Sequence, residues 1–178
     1  RVAVVGAGGG PLVPVAEADG AVTTVPGVVL AVRVADCVPV LFAAPGGVAV
    51  AHAGWRGVAD CVVAATVRQL CSSCGCAPSD VVAAIGPHIG GDVFEVGGEV
   101  VDALVACGLA EANFMVRTVG EKAYVDLGRA VARQLQSVGV GTWDVVGRCT
   151  MTDPTLYSHR GDGPDTGRFA GVIARCSG

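Results

Sequence analysis

The chain has 178 residues, 27 of them glycine, with a hydrophobic fraction of 52% and a formal net charge of -4 at pH 7. This length suits one domain with a core of its own. The 12 basic residues are scattered along the chain rather than clustered, which argues against binding to a nucleic-acid backbone.

The uncharged stretch from Cys37 to Trp55 has the length of a membrane span, but Pro39, Pro45 and two glycines interrupt it. It has no cationic flank of the kind that marks a signal peptide, so we expect neither a membrane span nor a secretion signal. The sequence has 8 cysteines. In a chain without a secretion signal we expect them to be reduced thiols rather than disulfides. We therefore expect a cytoplasmic protein.

Apolar runs separated by turn residues predict several strands in the first third of the chain. They cover residues 21–22, 28–34, 38–43 and 48–52, with turns at Pro26-Gly27 and at Pro45-Gly46-Gly47. After the last of these strands, apolar residues recur at helical spacing and predict a helix over residues 58–70. His52 and Arg56 then flank a strand-to-helix turn, which is a common position for sites in folds of this kind.

The remainder of the chain mixes strands, helices and glycine-rich loops. We predict strands over residues 81–85, 143–146 and 169–174, helices over 97–106 and 126–137, and loops over 86–91 and 157–168. No internal repeat or linker divides the chain. The sequence thus predicts a single α+β domain over residues 1–178, with mixed β-sheets flanked by helices and a site at the strand ends near Cys37 and His52.

Two short motifs place a thiol and an imidazole 15 residues apart, each at the end of an apolar run. The motifs are Ala35-Asp36-Cys37-Val38-Pro39 and His52-Ala53-Gly54-Trp55-Arg56-Gly57. Thiolate and imidazole together suit Zn²⁺ or copper, and a catalytic zinc site uses three protein ligands and one open position. Only two ligands stand in these motifs, and the same pair also fits a catalytic Cys/His dyad.

A second group of cysteines forms the C-x-x-C-x-C run of Cys71, Cys74 and Cys76. This run resembles half of a metal knuckle, but no second Cys/His pair stands at the spacing that a closed tetrahedral site needs. A structural metal is therefore not expected there. Apart from Cys37, the other cysteines stand alone in apolar settings, as small buried hydrophobic residues do.

Four blocks of the sequence are similar to the bacterial laccase-domain family. The blocks are residues 35–41 with Ala-Asp-Cys-x-Pro, 51–57 with His-Ala-Gly-Trp-Arg-Gly, 85–97 with Gly-Pro-x-Ile-Gly and Phe-Glu-Val-Gly, and 156–168 with Ser-His-Arg. Members of this family were first called multicopper polyphenol oxidoreductases and are now regarded as purine nucleoside phosphorylases with adenosine deaminase side activity. The resemblance implies a cytoplasmic zinc enzyme whose substrates are phosphate and a purine nucleoside such as adenosine, inosine or methylthioadenosine.

The resemblance also implies a metal site in which Cys37 and His52 bind zinc, with copper as the less favoured ion. The family's third ligand is the histidine of an upstream Gln-Val-His-Gly motif, which would stand just before the segment that starts at Arg1. We therefore expect that the N-terminal part of the family domain is missing from this chain. His88 and His159 are the remaining histidines and could substitute for that ligand.

Phosphorolysis also needs groups that hold phosphate and the nucleoside. Arginine grips phosphate with paired hydrogen bonds, which makes Arg56 a candidate catalytic residue and Arg160 a candidate substrate-binding residue. Asp36 is a second candidate catalytic residue, although strand alternation turns it away from the neighbouring thiol and favours a supporting role. Phe94 and Glu95, on the glycine-rich loop, are further candidates for binding substrate.

Three other interpretations stay open at this point. Cys37 could be the nucleophile and His52 the base of a thiol hydrolase or deamidase, which requires the two side chains to lie within hydrogen-bond reach. A literal copper oxidase would need more histidine ligands than the 3 in the sequence. A shortened domain kept only as a scaffold would bind neither metal nor nucleoside.

Overall fold

The structure is a computed structural model that describes residues 1–6 and 18–176. In chain order the strands are β1 (Val2–Val4), β2 (Gly20–Thr23), β3 (Val29–Val34), β4 (Val38–Ala44), β5 (Gly47–Ala53), β6 (Val82–Ile85), β7 (Glu95–Val96), β8 (Met115–Val119), β9 (Lys122–Val125), β10 (Thr142–Val145) and β11 (Phe169–Ala174). The helices are α1 (Trp55–Ala59), α2 (Val62–Cys74), α3 (Gly98–Ala106), α4 (Leu127–Val138) and α5 (His159–Asp162). None of the helices in these residues is long and apolar enough to cross a membrane.

A mixed sheet of six strands, in the order β1-β2-β5-β4-β6-β10, forms the centre of the fold. Its two outer pairs, β1 with β2 and β6 with β10, are parallel, and the inner pairs are antiparallel. Strands β3 and β11 form a separate antiparallel ribbon, and β7, β9 and β8 form a small third sheet. The prediction of a single α+β domain with mixed sheets is confirmed.

Side chains alternate between the two faces of the central sheet, because successive residues of a strand point in opposite directions. One face, which includes Val40 and Phe42, packs on α2 and α4 in the larger core. The opposite face, which includes Val48 and Val50, packs on the ribbon of β3 and β11 in a smaller core. The central sheet is thus covered on both sides, and its strand ends are left free to carry a site.

The structure corrects several of the predicted elements. The helix predicted over residues 58–70 is broken at Cys61, whose φ of +56° lies in the left-handed region and cannot continue a right-handed helix. The hairpin of β8 and β9 was not predicted. The loop predicted over residues 157–168 contains the short helix α5. Strands β4 and β5 do form a hairpin through Pro45 and Gly46, where Gly46 has a φ of +92°.

A matched pair of valines tests this assignment of buried and exposed positions. Val40 is completely buried in the larger core, whereas 63% of Val29 is exposed. We expect V40A to lower the free energy of unfolding by about 2 kcal/mol, because it removes two buried carbon groups and leaves a cavity. V29A should change it by less than about 0.5 kcal/mol. Urea denaturation followed by circular dichroism measures both, and equal losses would contradict the assignment.

Candidate functional site

The hairpin of β4 and β5 brings Cys37 and His52 together. In its antiparallel register Pro39 pairs with His52 and Val38 with Ala53, so Cys37 comes to lie across from Gly54. A Cβ atom built on Gly54 would lie 2.9 Å from Cys37 Sγ and 3.9 Å from His52 Cε1. The thiol and the imidazole therefore border the same space, which a side chain at position 54 would fill.

Asp19, the residue before β2, holds His52 in place. The backbone N–H of His52 donates to the Asp19 carbonyl oxygen at 2.7 Å, and His52 Nδ1 lies 3.5 Å from Asp19 Oδ1. A carboxylate next to Nδ1 leaves Nε2 as the ring nitrogen available to a metal. The sequence analysis missed Asp19, because it lies 33 positions before His52 and only the pairing of β2 with β5 brings them together.

The part of the chain that the structure describes brings together two of the side chains expected to bind a metal. In residues 1–6 and 18–176, no three His, Cys, Asp or Glu side chains converge in a way that could hold a metal. His88 is buried, with its Nδ1 2.8 Å from the Gly86 carbonyl oxygen, and His159 is exposed at the start of α5. Neither of them forms a three-ligand group with Cys37 and His52.

The Cys37 thiol lies in an environment that favours its neutral form. Burial raises the pKa of Cys37, the neighbouring charge of Asp36 raises it further, and Arg168 opposes the shift. A raised pKa is the opposite of what a nucleophilic cysteine needs.

Asp36 connects the site to the segment that ends at α5. Its φ of +83° lies in the left-handed region, in a bend rather than a strand, so the expected strand alternation does not apply. Oδ1 accepts hydrogen bonds from Thr150 Oγ1 at 2.6 Å and Ser158 Oγ at 2.7 Å, and Oδ2 accepts one from the Arg160 backbone N–H at 2.6 Å. These three bonds favour the supporting role and hold Arg160 close to Cys37.

A cavity of about 390 Å³ opens beside α1. Four of the predicted site residues, Arg56, Phe94, Glu95 and Arg160, line it together. They come from three distant parts of the chain, and the remaining lining residues are Trp55, Val96, Gly97, Glu99, Val100 and Lys122. The fold therefore gathers both arginine candidates and both candidates of the glycine-rich loop into one space.

The two arginines of the cavity are held by aromatic rings. The Arg56 guanidinium lies 4.3 Å from the centre of the Trp55 ring, and that of Arg160 lies 5.3 Å from the centre of the Phe94 ring. Arg160 Nη1 also donates to the Glu95 carbonyl oxygen at 2.8 Å. Within the described residues neither guanidinium forms an ion pair with a carboxylate. Both guanidinium groups keep N–H donors that could form hydrogen bonds to an anion.

Glu95 is fixed by side chains of β9. The Tyr124 hydroxyl donates to Glu95 Oε2 at 2.9 Å, and Lys122 Nζ lies 4.0 Å from Oε1. Tyr124 stands opposite Glu95 in the pairing of β7 with β9, and the Arg117 guanidinium lies 3.9 Å from its ring. The sequence analysis missed Lys122 and Tyr124 because it did not predict β9. The alternation of polar and apolar residues over 122–125 was the available signal.

Most of the chain is similar in sequence to known proteins. A model of the family described as multi-copper polyphenol oxidoreductase laccase matches residues 1–176. A protein of Deinococcus radiodurans named purine nucleoside phosphorylase is 40% identical over 159 residues, which are 88% of this chain and 61% of that protein. The purine nucleoside phosphorylase YfiH of Escherichia coli K12 is 40% identical over 160 residues, 88% of this chain and 63% of that protein.

Solved structures agree with these similarities. YlmD from Geobacillus stearothermophilus superposes with a TM-score of 0.84 at 38% identity, covering 89% of this chain and 61% of that one. The hypothetical protein YfiH of Bacillus licheniformis gives a TM-score of 0.84 at 32% identity, covering 88% of this chain and 61% of that one. The chain thus spans less than two thirds of the length of these relatives.

Asp36 offers a test of how the site is anchored. We expect D36N to lower the free energy of unfolding by about 1–3 kcal/mol, because the amide cannot accept all three hydrogen bonds in this buried position. Asparagine tolerates a positive φ, so the backbone conformation does not cause the loss. The matched control is D102N, on an exposed carboxylate of α3 that makes no side-chain hydrogen bond within the described residues. Urea denaturation measures both variants, and equal stability would contradict an anchoring role.

Proposed function

The chain belongs to the multi-copper polyphenol oxidoreductase laccase family, and on that basis we propose that it cleaves purine nucleosides with phosphate. The products are the free purine base and ribose 1-phosphate. The observation that carries this proposal is the cavity in which two guanidinium groups, without carboxylate partners among the described residues, lie beside two aromatic rings. Support also comes from relatives named purine nucleoside phosphorylase at 40% identity. An adenosine deaminase side activity at the same site is a further part of the proposal.

In this proposal the two arginines hold the phosphate. Paired hydrogen bonds from a guanidinium neutralise and orient the anion, which places one phosphate oxygen to attack C1′ of the ribose. The bond from C1′ to the purine nitrogen breaks, and the departing base takes up a proton. Trp55 and Phe94 offer apolar surface to the base, and the fixed Glu95 carboxylate can accept hydrogen bonds from the sugar hydroxyls.

We further propose that Cys37 and His52 hold zinc. The donor set fits, because a thiolate and an imidazole are common zinc ligands and a carboxylate beside Nδ1 orients His52. The third ligand would come from the longer family domain. The Arg1 carbonyl oxygen accepts hydrogen bonds from the N–H groups of Asp19 and Gly20, so Arg1 lies next to the residue that contacts His52. Bound zinc would supply a Lewis acid or an activated water. Copper is the less favoured ion.

The zinc content and the phosphate-dependent release of base test the proposal directly. The purified chain, which we expect to bind zinc weakly, should release free base from adenosine or inosine only when phosphate is present, and C37A should lose both the bound zinc and the base release. Cys107→Ala is the matched control, since Cys107 lies at the end of α3 away from the site. Base release that does not need phosphate would overturn phosphorolysis, and zinc retained by C37A would overturn the ligand assignment.

The third ligand has a separate test. A longer chain that carries the family's Gln-Val-His-Gly segment before Arg1 should bind zinc much more tightly than the present chain, because a third ligand completes the coordination. Competition with a chromophoric chelator measures both affinities. Equal affinity would contradict the proposal that a ligand is supplied from that segment.

The role of Arg56 is tested by its dependence on phosphate. We expect R56A to raise the KM for phosphate about 10- to 100-fold, because a charge-assisted hydrogen bond is worth about 1.5–3 kcal/mol. The KM for the nucleoside should change much less. R68A is the matched control, because Arg68 is exposed on α2 and does not line the cavity. An unchanged KM for phosphate would remove Arg56 from the anion site.

The thiol hydrolase is the second candidate function, since Cys37 and His52 do border one space. The electrostatics weigh against it, because a nucleophilic cysteine has a lowered pKa whereas burial raises that of Cys37. Stoichiometric alkylation of Cys37 at neutral pH, with loss of an amidase or esterase activity, would favour the hydrolase. A folded protein that binds neither zinc nor nucleoside would favour the scaffold.

A further inference from the structure

The end of α2 brings two cysteine side chains together. The helix ends at Cys74, and Gly75 follows it with a φ of +67°. The N–H groups of Gly75 and Cys76 both donate to the Cys71 carbonyl oxygen, at 2.8 and 3.2 Å. The hydrogen bond from the Cys76 N–H to the Cys71 carbonyl oxygen is typical of a Schellman cap at the end of a helix. In such a cap the side chains of these two positions frequently make contact.

The electrostatics of this end of α2 agree with a contact between the two thiols. The pKa of Cys71 is raised to about 11, first by burial and then by the nearby thiol of Cys76. The charges of Cys76, Cys74 and Asp80 raise it further. The raised pKa keeps Cys71 mainly as the neutral thiol, and the contribution of Cys76 to it indicates that the two sulfur atoms are neighbours.

Cys74 lies beside this pair but packs in another direction. A Cβ atom built on Gly47 would lie 2.5 Å from Cys74 Sγ and 3.2 Å from Leu70 Cδ1. The Cys74 thiol thus fills the space left by Gly47 at the hairpin of β4 and β5. Substituting Gly47 would push this side chain out, whereas Cys71 and Cys76 do not meet Gly47.

The chain just after Cys76 is also held by hydrogen bonds. The Ala77 N–H donates to Asp80 Oδ2 at 2.9 Å, and the Asp80 N–H donates to the Ala77 carbonyl oxygen at 3.0 Å. Both Cys71 and Cys76 are partly exposed to solvent. The two thiols are therefore accessible to a small reagent, and the backbone bond from Cys76 to Cys71 keeps the two residues next to each other. In the described ranges the cysteines of this run form no metal-binding group of three.

We propose that Cys71 and Cys76 are a reversible disulfide-forming site, with a small-molecule disulfide as the oxidant. One protein thiolate attacks the small disulfide, forms a mixed disulfide and releases one small thiol. The second protein thiolate then attacks the protein sulfur of the mixed disulfide and releases the other small thiol. Two protein thiols are oxidised and one small disulfide is reduced to two thiols, so atoms and electrons balance.

The test uses the whole chain, folded and fully reduced, with oxidised glutathione as the probe. After oxidation, iodoacetamide labels the free thiols; the disulfides are then reduced and labelled with N-ethylmaleimide. We expect N-ethylmaleimide on Cys71 and Cys76 and the iodoacetamide label on Cys74, as located by mass spectrometry, and the mass of the oxidised chain before reduction should contain no glutathione. The same treatment in urea should lose this selectivity, because the cap no longer holds the two thiols together.

Two variants and a second pair of cysteines distinguish the proposed disulfide from other oxidation products. C74S should keep the bond between Cys71 and Cys76, and C71S should leave Cys76 with glutathione attached. Glutathione adducts alone in the wild-type chain, or a bond that joins Cys74 to either partner, would overturn the proposal. Oxidation of Cys61 with Cys107 while Cys71 and Cys76 stay reduced would overturn it as well; Cys61 Sγ lies 4.0 Å from the Cys107 carbonyl oxygen.

Discussion

The antiparallel pairing of β4 with β5 fixes the position of Cys37 relative to His52, and the candidate site is built around this constraint. Pro39 stands opposite His52, which leaves the thiol and the imidazole on either side of Gly54. A shift of one residue in this register would turn every side chain of the strand to the other face of the sheet. Both faces are buried, one against helices and the other against the ribbon of β3 and β11, so the cost of such a shift is high.

Asp36 extends this constraint to the C-terminal part of the chain. Its three hydrogen bonds join the bend before β4 to Thr150, Ser158 and Arg160, which lie 114 to 124 positions away. The side chain of Arg160 in turn reaches Phe94 and the backbone of Glu95. One buried carboxylate thereby couples the thiol side of the site to the arginine side. This anchoring role does not require Asp36 to contact a substrate.

The cavity combines cations and aromatic rings in a way that suits an anionic co-substrate and a flat base. Each guanidinium lies over a ring, which restricts its movement before any ligand arrives. Glu95 is restricted in the same way by Tyr124 and Lys122. Groups that are already oriented lose less conformational entropy on binding, and this gain would favour the proposed reaction with phosphate.

The motifs around Cys37 and His52, the mixed α+β class and the candidates Arg56, Arg160, Phe94 and Glu95 could all be inferred from the sequence by itself. Apolar periodicity and short motifs are local, and the local pattern of most strands and helices survives in the fold. The break of the helix at Cys61 and the contacts of His52 with Asp19 and of Glu95 with Lys122 and Tyr124 could not be inferred in this way. These contacts depend on strand pairing between distant segments, and only the tertiary structure decided them because strand order and register are set by packing on both faces of the sheet.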